Sequence, residues 1–93
     1  MKVDYLDRAE EDLSHFDEEV EEIIRDKIEE LEDEGTGHQD TKLIRVDERP
    51  VFRLEIGERN EKVDHRAVFD IIKGEIKILA VIHRDEGYHT ITL

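Results

Sequence analysis

The sequence predicts an α+β domain in which a two-helix hairpin packs on one face of a small antiparallel β-sheet. Three observations carry that expectation. From Leu6 to Leu31 apolar residues recur every three or four positions, which is the spacing of one buried helix face. After Thr41 the spacing changes to two, the alternation of half-buried strands. Between two long strand-like runs, Lys73-Gly74 supplies the residue pair of a tight hairpin turn. The expected order is β-α-α-β-β-β, with one further strand left open.

Each element has its own reason. Lys2 to Leu6 alternates apolar and polar residues as a short strand, and Asp7 stands where a helix N-cap would. Leu6, Ala9, Leu13 and Phe16 then share one helix face. Asp17 opens a second helix with Val20, Ile24, Ile28 and Leu31 as its buried stripe and Ile23 widening it. Gly35 ends that helix in the left-handed conformation that helix ends favour. A polar connector, 36–41, leads to strands expected at Lys42–Val46 and Val51–Ile56. In the latter, Phe52, Leu54 and Ile56 oppose Val51, Arg53 and Glu55; Pro50 fits only a strand start or edge. A charged turn at 57–62 precedes a long strand, Val63–Ile72, with Ala67, Phe69 and Ile71 on one side and Arg66, Val68 and Asp70 on the other. Glu75–His83 is almost continuously apolar, as a strand covered on both faces should be. Tyr88–Leu93 has the alternation of a last short strand. Phe16, Phe52 and Phe69 belong to the core by their spacing.

Composition narrows the class. With 93 residues, one domain spanning 1–93 is expected. There is no cysteine, so disulfides and thiolate chemistry are excluded. The N-terminus runs straight into acidic residues without a signal-peptide pattern, and no stretch approaches the roughly 20 apolar residues of a membrane helix. A cytoplasmic protein with no membrane contact is the expectation. Net charge is −13, and it is unevenly placed: residues 1–34 hold sixteen acids and four bases, the remainder eleven acids and ten bases. Such a surface fits either a high-salt cytoplasm, where charge is screened over about 3 Å at 1 M salt, or a basic partner. The acids coat whole helix faces instead of forming one tail, which favours the first. Net charge argues against non-specific nucleic-acid binding through a broad basic field.

Several stretches resemble the RelE/ParE superfamily of toxin–antitoxin toxins. Ala9-Glu10-Glu11-Asp12-Leu13 is similar to the opening helix of that family and Lys27-Ile28-Glu29-Glu30-Leu31 to the end of its second helix. Val51 to Gly57 resembles its R-L-R-V-G strand, Asp64 to Phe69 the arginine-bearing strand after it, and Ile78 to Arg84 followed by Tyr88 its closing signature. The resemblance implies a RelE/ParE-like fold and a metal-independent endoribonuclease that cuts mRNA at the ribosome. It implies a cognate antitoxin, ribosome and mRNA as partners, with no small-molecule substrate and no cofactor. Carried over, Arg66 and Arg84 match the family's strand arginines, Arg53 a basic position on the preceding strand, and Tyr88 the C-terminal tyrosine. The pattern departs at Glu55, where RelE-type members often carry a second cation, and in the few residues after Tyr88.

The chemistry agrees with those residue types. Cleaving RNA requires a base for the 2′-hydroxyl, cations for the charge developing on phosphorus, and an acid for the leaving 5′-oxygen. Arginine suits the second task because its planar fork binds two phosphate oxygens and stays charged. Alternation places Arg53 and Arg66 on the face away from the apolar residues, and Arg84 ends the apolar strand within reach of it. His65, His83, His89 and Tyr88 are candidates for proton transfer, and Tyr88 also for stacking on a base. A plainer reading pairs Arg53 and Arg66 with Glu55, Asp64 or Asp70 as ordinary strand charges. No H-x-x-x-H spacing or carboxylate motif supports a metal centre, and His38 reads as a loop residue without a role. Two further functions stay open: a ParE-like DNA gyrase inhibitor that acts by binding, and a family member that keeps the fold and the antitoxin contact without catalysis.

Overall fold

A computed structural model describes residues 1–57 and 62–93, so most of the charged turn expected at 57–62 lies outside the described residues. The elements are β1 (Val3–Tyr5), α1 (Asp7–Ser14), α2 (Glu18–Glu29), α3 (Leu31–Glu34), β2 (Thr41–Val46), β3 (Arg49–Gly57), β4 (Asp64–Ile72) and β5 (Glu75–His83). The strands form one sheet in the order β1-β5-β4-β3-β2. β2 through β5 are antiparallel neighbours, but β1 pairs parallel with β5, so the sheet is mixed.

The helices cover one face. Ala9 and Leu13 of α1, and Val20, Ile24, Ile28 and Leu31 along α2 and α3, are buried against Leu54, Ile56, Ala67, Phe69, Ile76, Ile78 and Val81. Each fully buried aliphatic side chain here contributes about 1.5–3 kcal/mol relative to exposure. The stripe continues through Glu30, whose backbone keeps helical angles (φ −59°, ψ −24°), so Leu31 follows Ile28 into the core. Ile23 does not join it: its position on the turn leaves it 43% exposed. The hairpin is tied across by Arg25 of α2, which bonds Glu21 beside it and Glu10 of α1.

Two termini differ from expectation. Leu6, not Asp7, is the N-cap of α1: its carbonyl accepts from the Glu10 amide, and Asp7 is the first helical residue, where its charge faces the positive end of the helix dipole. Gly35 has φ +55° but ψ −142°, a region open to glycine alone and not the left-handed helical one. The chain passes from it into a 3-10 turn over Gly35–Gly37, closed by the His38 amide on the Gly35 carbonyl.

The β4–β5 hairpin turns on Lys73 (φ +52°) and Gly74 (φ +78°), as a tight two-residue turn requires. Farther along, the register shifts: Val68 pairs with Ala80 and Phe69 with Ile78, leaving Leu79 as an extra residue in β5. Leu79 and Ala80 therefore both turn to the face away from the helices, while Ile78 and Val81 keep to the helix side. That bulge explains why β5 reads as one apolar run. Pro50 lies in β3 beyond the end of the β4 ladder, which starts at Phe52, so its missing N–H costs no bond there.

A second, smaller core sits on the other face: Val46, Val51, Val68, Leu79, Ala80, Ile82 and Ile91, with Ile44 and Tyr88 against it. Ile91 arrives from the C-terminal segment, which is not the short strand that alternation suggests. Tyr88–Thr90 forms a single 3-10 turn closed by the Thr90 amide on Gly87 and the Ile91 amide on Tyr88.

Candidate functional site

The register of β3 and β4 sets the site. Glu55 stands directly opposite Arg66, and Arg53 opposite Val68, so Arg53 and Glu55 share the face that Arg66 shares across the strand boundary. The Glu55 carboxylate takes up that geometry. One oxygen accepts from Arg53 Nη1 at 2.6 Å and from Arg66 Nη2 at 3.4 Å. Arg66 in turn donates through Nη1 to the Tyr88 hydroxyl at 3.0 Å, and its guanidinium lies 5.9 Å from the centre of the Tyr88 ring. Arg66 Nε is buried and has no hydrogen-bond partner among the described residues.

Of the four residues singled out from sequence, the structure brings Arg53, Arg66 and Tyr88 into one cluster. Arg84 flanks it from the turn after β5. Its backbone amide bonds the Asp64 carbonyl, and its side chain donates no hydrogen bond among the described residues. Its charge still reaches Glu55. The Glu55 carboxyl is held below the usual carboxylate range, first by the hydrogen bond from Arg53 and then by the charges of Arg53, Arg66 and Arg84. Glu55 is therefore ionised at neutral pH. Asp70, the other acid on this strand face, is taken by Arg49 at 2.7 Å.

The histidines divide by face. His65 points to the helix side, where its ring meets Phe16 edge-on at 4.7 Å and His83 at 5.2 Å between centroids. Burial, followed by the charge of His83, pushes the His65 pKa down, and its Nδ1 accepts from the Asp64 amide. Neither His65 nor its strand partner His83 shares a face with the arginines. His89 is exposed on the 3-10 turn beside Tyr88.

His38 is not an idle loop residue: it is 3% exposed, and its Nε2 lies 2.9 Å from Glu30 and 3.7 Å from Glu34. Glu30, Glu34 and His38 are the one set among the described residues whose ligand atoms gather closely enough for a metal. The chemistry of the ring disfavours that use. Nδ1 accepts the Asp40 amide at 3.0 Å, so the proton sits on Nε2 and is donated to Glu30. A metal at Nε2 would have to displace that proton from an already committed ring. The cluster instead fastens the end of the helical layer to the start of β2, helped by Lys27 on Asp40 at 2.8 Å.

Glu55 is the residue whose importance the sequence understates. Alternation shows it beside Arg53, but only the pairing of β3 with β4 shows that it sits between two arginines. Chemically, the cluster is an anion seat: two guanidinium groups converge on one carboxylate oxygen where a phosphate oxygen would be equally well received. The carboxylate is itself an ionised proton acceptor at that seat.

No protein-family model matches the sequence, and no curated protein is similar to it in sequence. Solved structures are similar to it in fold. The RelBE2 toxin–antitoxin complex of Mycobacterium tuberculosis contains a chain with TM-score 0.69 and 19% identity, covering 89% of this chain and 96% of that one. The free E. coli toxin RelE, as a double arginine-to-alanine mutant, gives TM-score 0.67 and 16% identity over 90% of this chain and 83% of that one. With its helical hairpin on one face of a five-stranded mixed sheet, the chain has the RelE fold.

Proposed function

We propose that the chain is the toxin of a type II toxin–antitoxin pair, a RelE-like endoribonuclease that cuts mRNA at the ribosome. The observation that carries this reading is the convergence of Arg53, Arg66 and Tyr88, with Arg84 beside them, on the helix-free face of a RelE fold. In the reaction, the scissile phosphate takes the seat now held by Glu55, and Arg53, Arg66 and Arg84 stabilise the charge that builds on its oxygens. The 2′-oxygen attacks phosphorus as its proton passes to Glu55. The bond to the 5′-oxygen then breaks, leaving a 2′,3′-cyclic phosphate and a 5′-hydroxyl. Tyr88 protonates the leaving 5′-oxygen, and its ring can also stack on a neighbouring base. Every step uses side chains of this protein, so no metal is required.

The reading places the protein in the cytoplasm with a cognate antitoxin, whose presence is supported by the toxin–antitoxin complex among the similar structures. No helix among the described residues is long and apolar enough to cross a membrane. The acidic helical layer suits a high-salt cytoplasm, where a few aimed arginines and the ribosome's own surroundings must replace a broad basic field.

Glu55 favours a second reading as well. A carboxylate that neutralises two of the cations is what a binding-only relative would keep, whether a gyrase inhibitor or a member without catalysis. Regulated expression separates these. The parent should arrest growth, a small protein encoded next to it should relieve the arrest, and Arg66→Ala with Arg84→Ala should abolish it. Arrest that persists in the double variant, with loss of gyrase supercoiling, would overturn the nuclease reading.

A further inference from the structure

The C-terminal segment carries Tyr88 into the cluster, yet it belongs to no strand. What holds it comes from the opposite layer. Arg8, on α1, donates from Nη1 to the Thr90 carbonyl at 2.8 Å, two residues beyond Tyr88. Arg8 is itself aimed. Its Nε lies 2.9 and 3.0 Å from the two oxygens of Asp12, one turn along the helix. Asp12 is in turn fixed to the sheet, since its Oδ2 accepts the Val81 amide at 2.9 Å. That amide is available because β1 pairs with β5 only as far as Ile78.

The links form one path: the Val81 amide, Asp12, Arg8, the Thr90 carbonyl, the 3-10 turn, and the Tyr88 hydroxyl on Arg66. Between the two ends the turn is short and internally bonded, through Thr90 Oγ1 and the Thr90 amide to the Gly87 carbonyl and the Ile91 amide to Tyr88. Ile91 adds an apolar anchor in the second core. A 3-10 turn of three residues, closed by its own hydrogen bonds, couples the position of the Thr90 carbonyl to that of Tyr88.

We infer that Arg8 is a positioning residue of the candidate site, strapping the C-terminal turn to α1 so that the Tyr88 hydroxyl meets Arg66. The inference rests on Tyr88 being a site residue, but its test does not depend on cleavage. Arg8 is partly exposed (37%), so its replacement leaves the core intact. Arg8→Met keeps the stem and removes every donor; Arg8→Lys returns the charge and one donor of shorter reach, without the fork that serves Asp12 and Thr90 together.

Tyr5 and Tyr88 are the protein's two tyrosines, so ring-labelled tyrosine gives an NMR spectrum with one signal set for each. Tyr88→Phe assigns them. Tyr5, which lies under Arg25 in the helical layer, reports on general damage to α1 and α2. In Arg8→Met the Tyr88 signals should move by at least half the change seen in Arg66→Ala, with Tyr5 fixed, and Arg8→Lys should bring them at most part of the way back. If the parent cleaves RNA, Arg8→Met should lower kcat about tenfold with little change in KM, as a misplaced group does. Tyr88 signals that stay in place in Arg8→Met would overturn the inference. So would a shift of Tyr5 and Tyr88 together. A parent without cleavage would count against the nuclease reading alone, and the spectrum would still decide the role of Arg8.

Discussion

Replacing Glu55 by glutamine removes a charge from the centre of the cluster and leaves its shape. In the parent, an incoming phosphate must compete with the carboxylate for Arg53 and Arg66, which both donate to the same Glu55 oxygen. It must also approach a like charge. Two unit charges about 4 Å apart interact by about 1 kcal/mol in water and about 4 kcal/mol at an effective dielectric of 20. The Glu55 side chain is 46% exposed, so the watery end of that range applies. Relief of about 1–1.4 kcal/mol corresponds to roughly five- to tenfold tighter binding. The assay is fluorescence anisotropy with a short RNA carrying 2′-O-methyl groups, which binds without being cut. At 0.1 M salt Glu55→Gln should bind about five- to tenfold more tightly. At 1 M the gain should shrink, because the screening length falls from about 10 Å to about 3 Å. Cleavage should move the other way: with its proton acceptor gone, the rate at saturating RNA should fall by about 100-fold or more. Stability should barely change, since exposed ion pairs contribute about 0–1 kcal/mol. Binding that is unchanged or weaker at 0.1 M salt would show that Glu55 and the phosphate do not share a seat, and the reasoning fails.

Three other perturbations test the fold and its charge. Phe69 is fully buried and stacks on Phe52 at 5.5 Å between ring centroids, so Phe69→Ala should cost about 3–5 kcal/mol in urea unfolding. A loss below about 1 kcal/mol would contradict its place in the core. Burial lowers the His65 pKa from its usual 6.5, so between the lowered value and 6.5 the unfolded chain binds the extra proton. Stability should therefore be full above about pH 7 and decline as pH falls through that window; His65→Gln should flatten the decline, and an unaltered pH profile would refute it. Repulsion among the sixteen acids of residues 1–34 should be relieved by potassium chloride, raising the melting temperature by about 5–10 °C between 0.1 and 2 M. A flat or falling trend would remove the case for a high-salt origin.

Much of the fold is legible in the sequence because it is written in local periods. Val20, Ile24, Ile28 and Leu31 repeat at helix spacing and are all buried, and the opposed sets of β3 and β4 alternate as their faces demand. What the sequence hides are matters of partnership. Tyr88 to Leu93 alternates like a strand, but the next outward amide of β5, that of Val81, is taken by Asp12, and the segment closes on itself instead. The parallel pairing of β1 with β5 joins residues more than seventy positions apart, which no local pattern encodes. In the site, alternation places Arg53 and Arg66 on one face, whereas Arg84 and Tyr88 are picked out by the family resemblance. The centrality of Glu55 appears only with the β3–β4 register, and the link from Arg8 to Thr90 spans 82 positions. His38 looks idle because its burial depends on where α3 and β2 meet, not on its neighbours in sequence.

The central claim is that the arginine cluster on the RelE fold cuts ribosome-bound mRNA, and ribosome-programmed cleavage in molar potassium salt tests it most directly. With active ribosomes, a defined message and a chelator present, the parent should cut within codons and leave 5′-hydroxyl ends, while Arg66→Ala with Arg84→Ala should leave the message intact. No cuts by the parent, or equal cutting by the double variant, would contradict the account and leave the likeness one of fold alone.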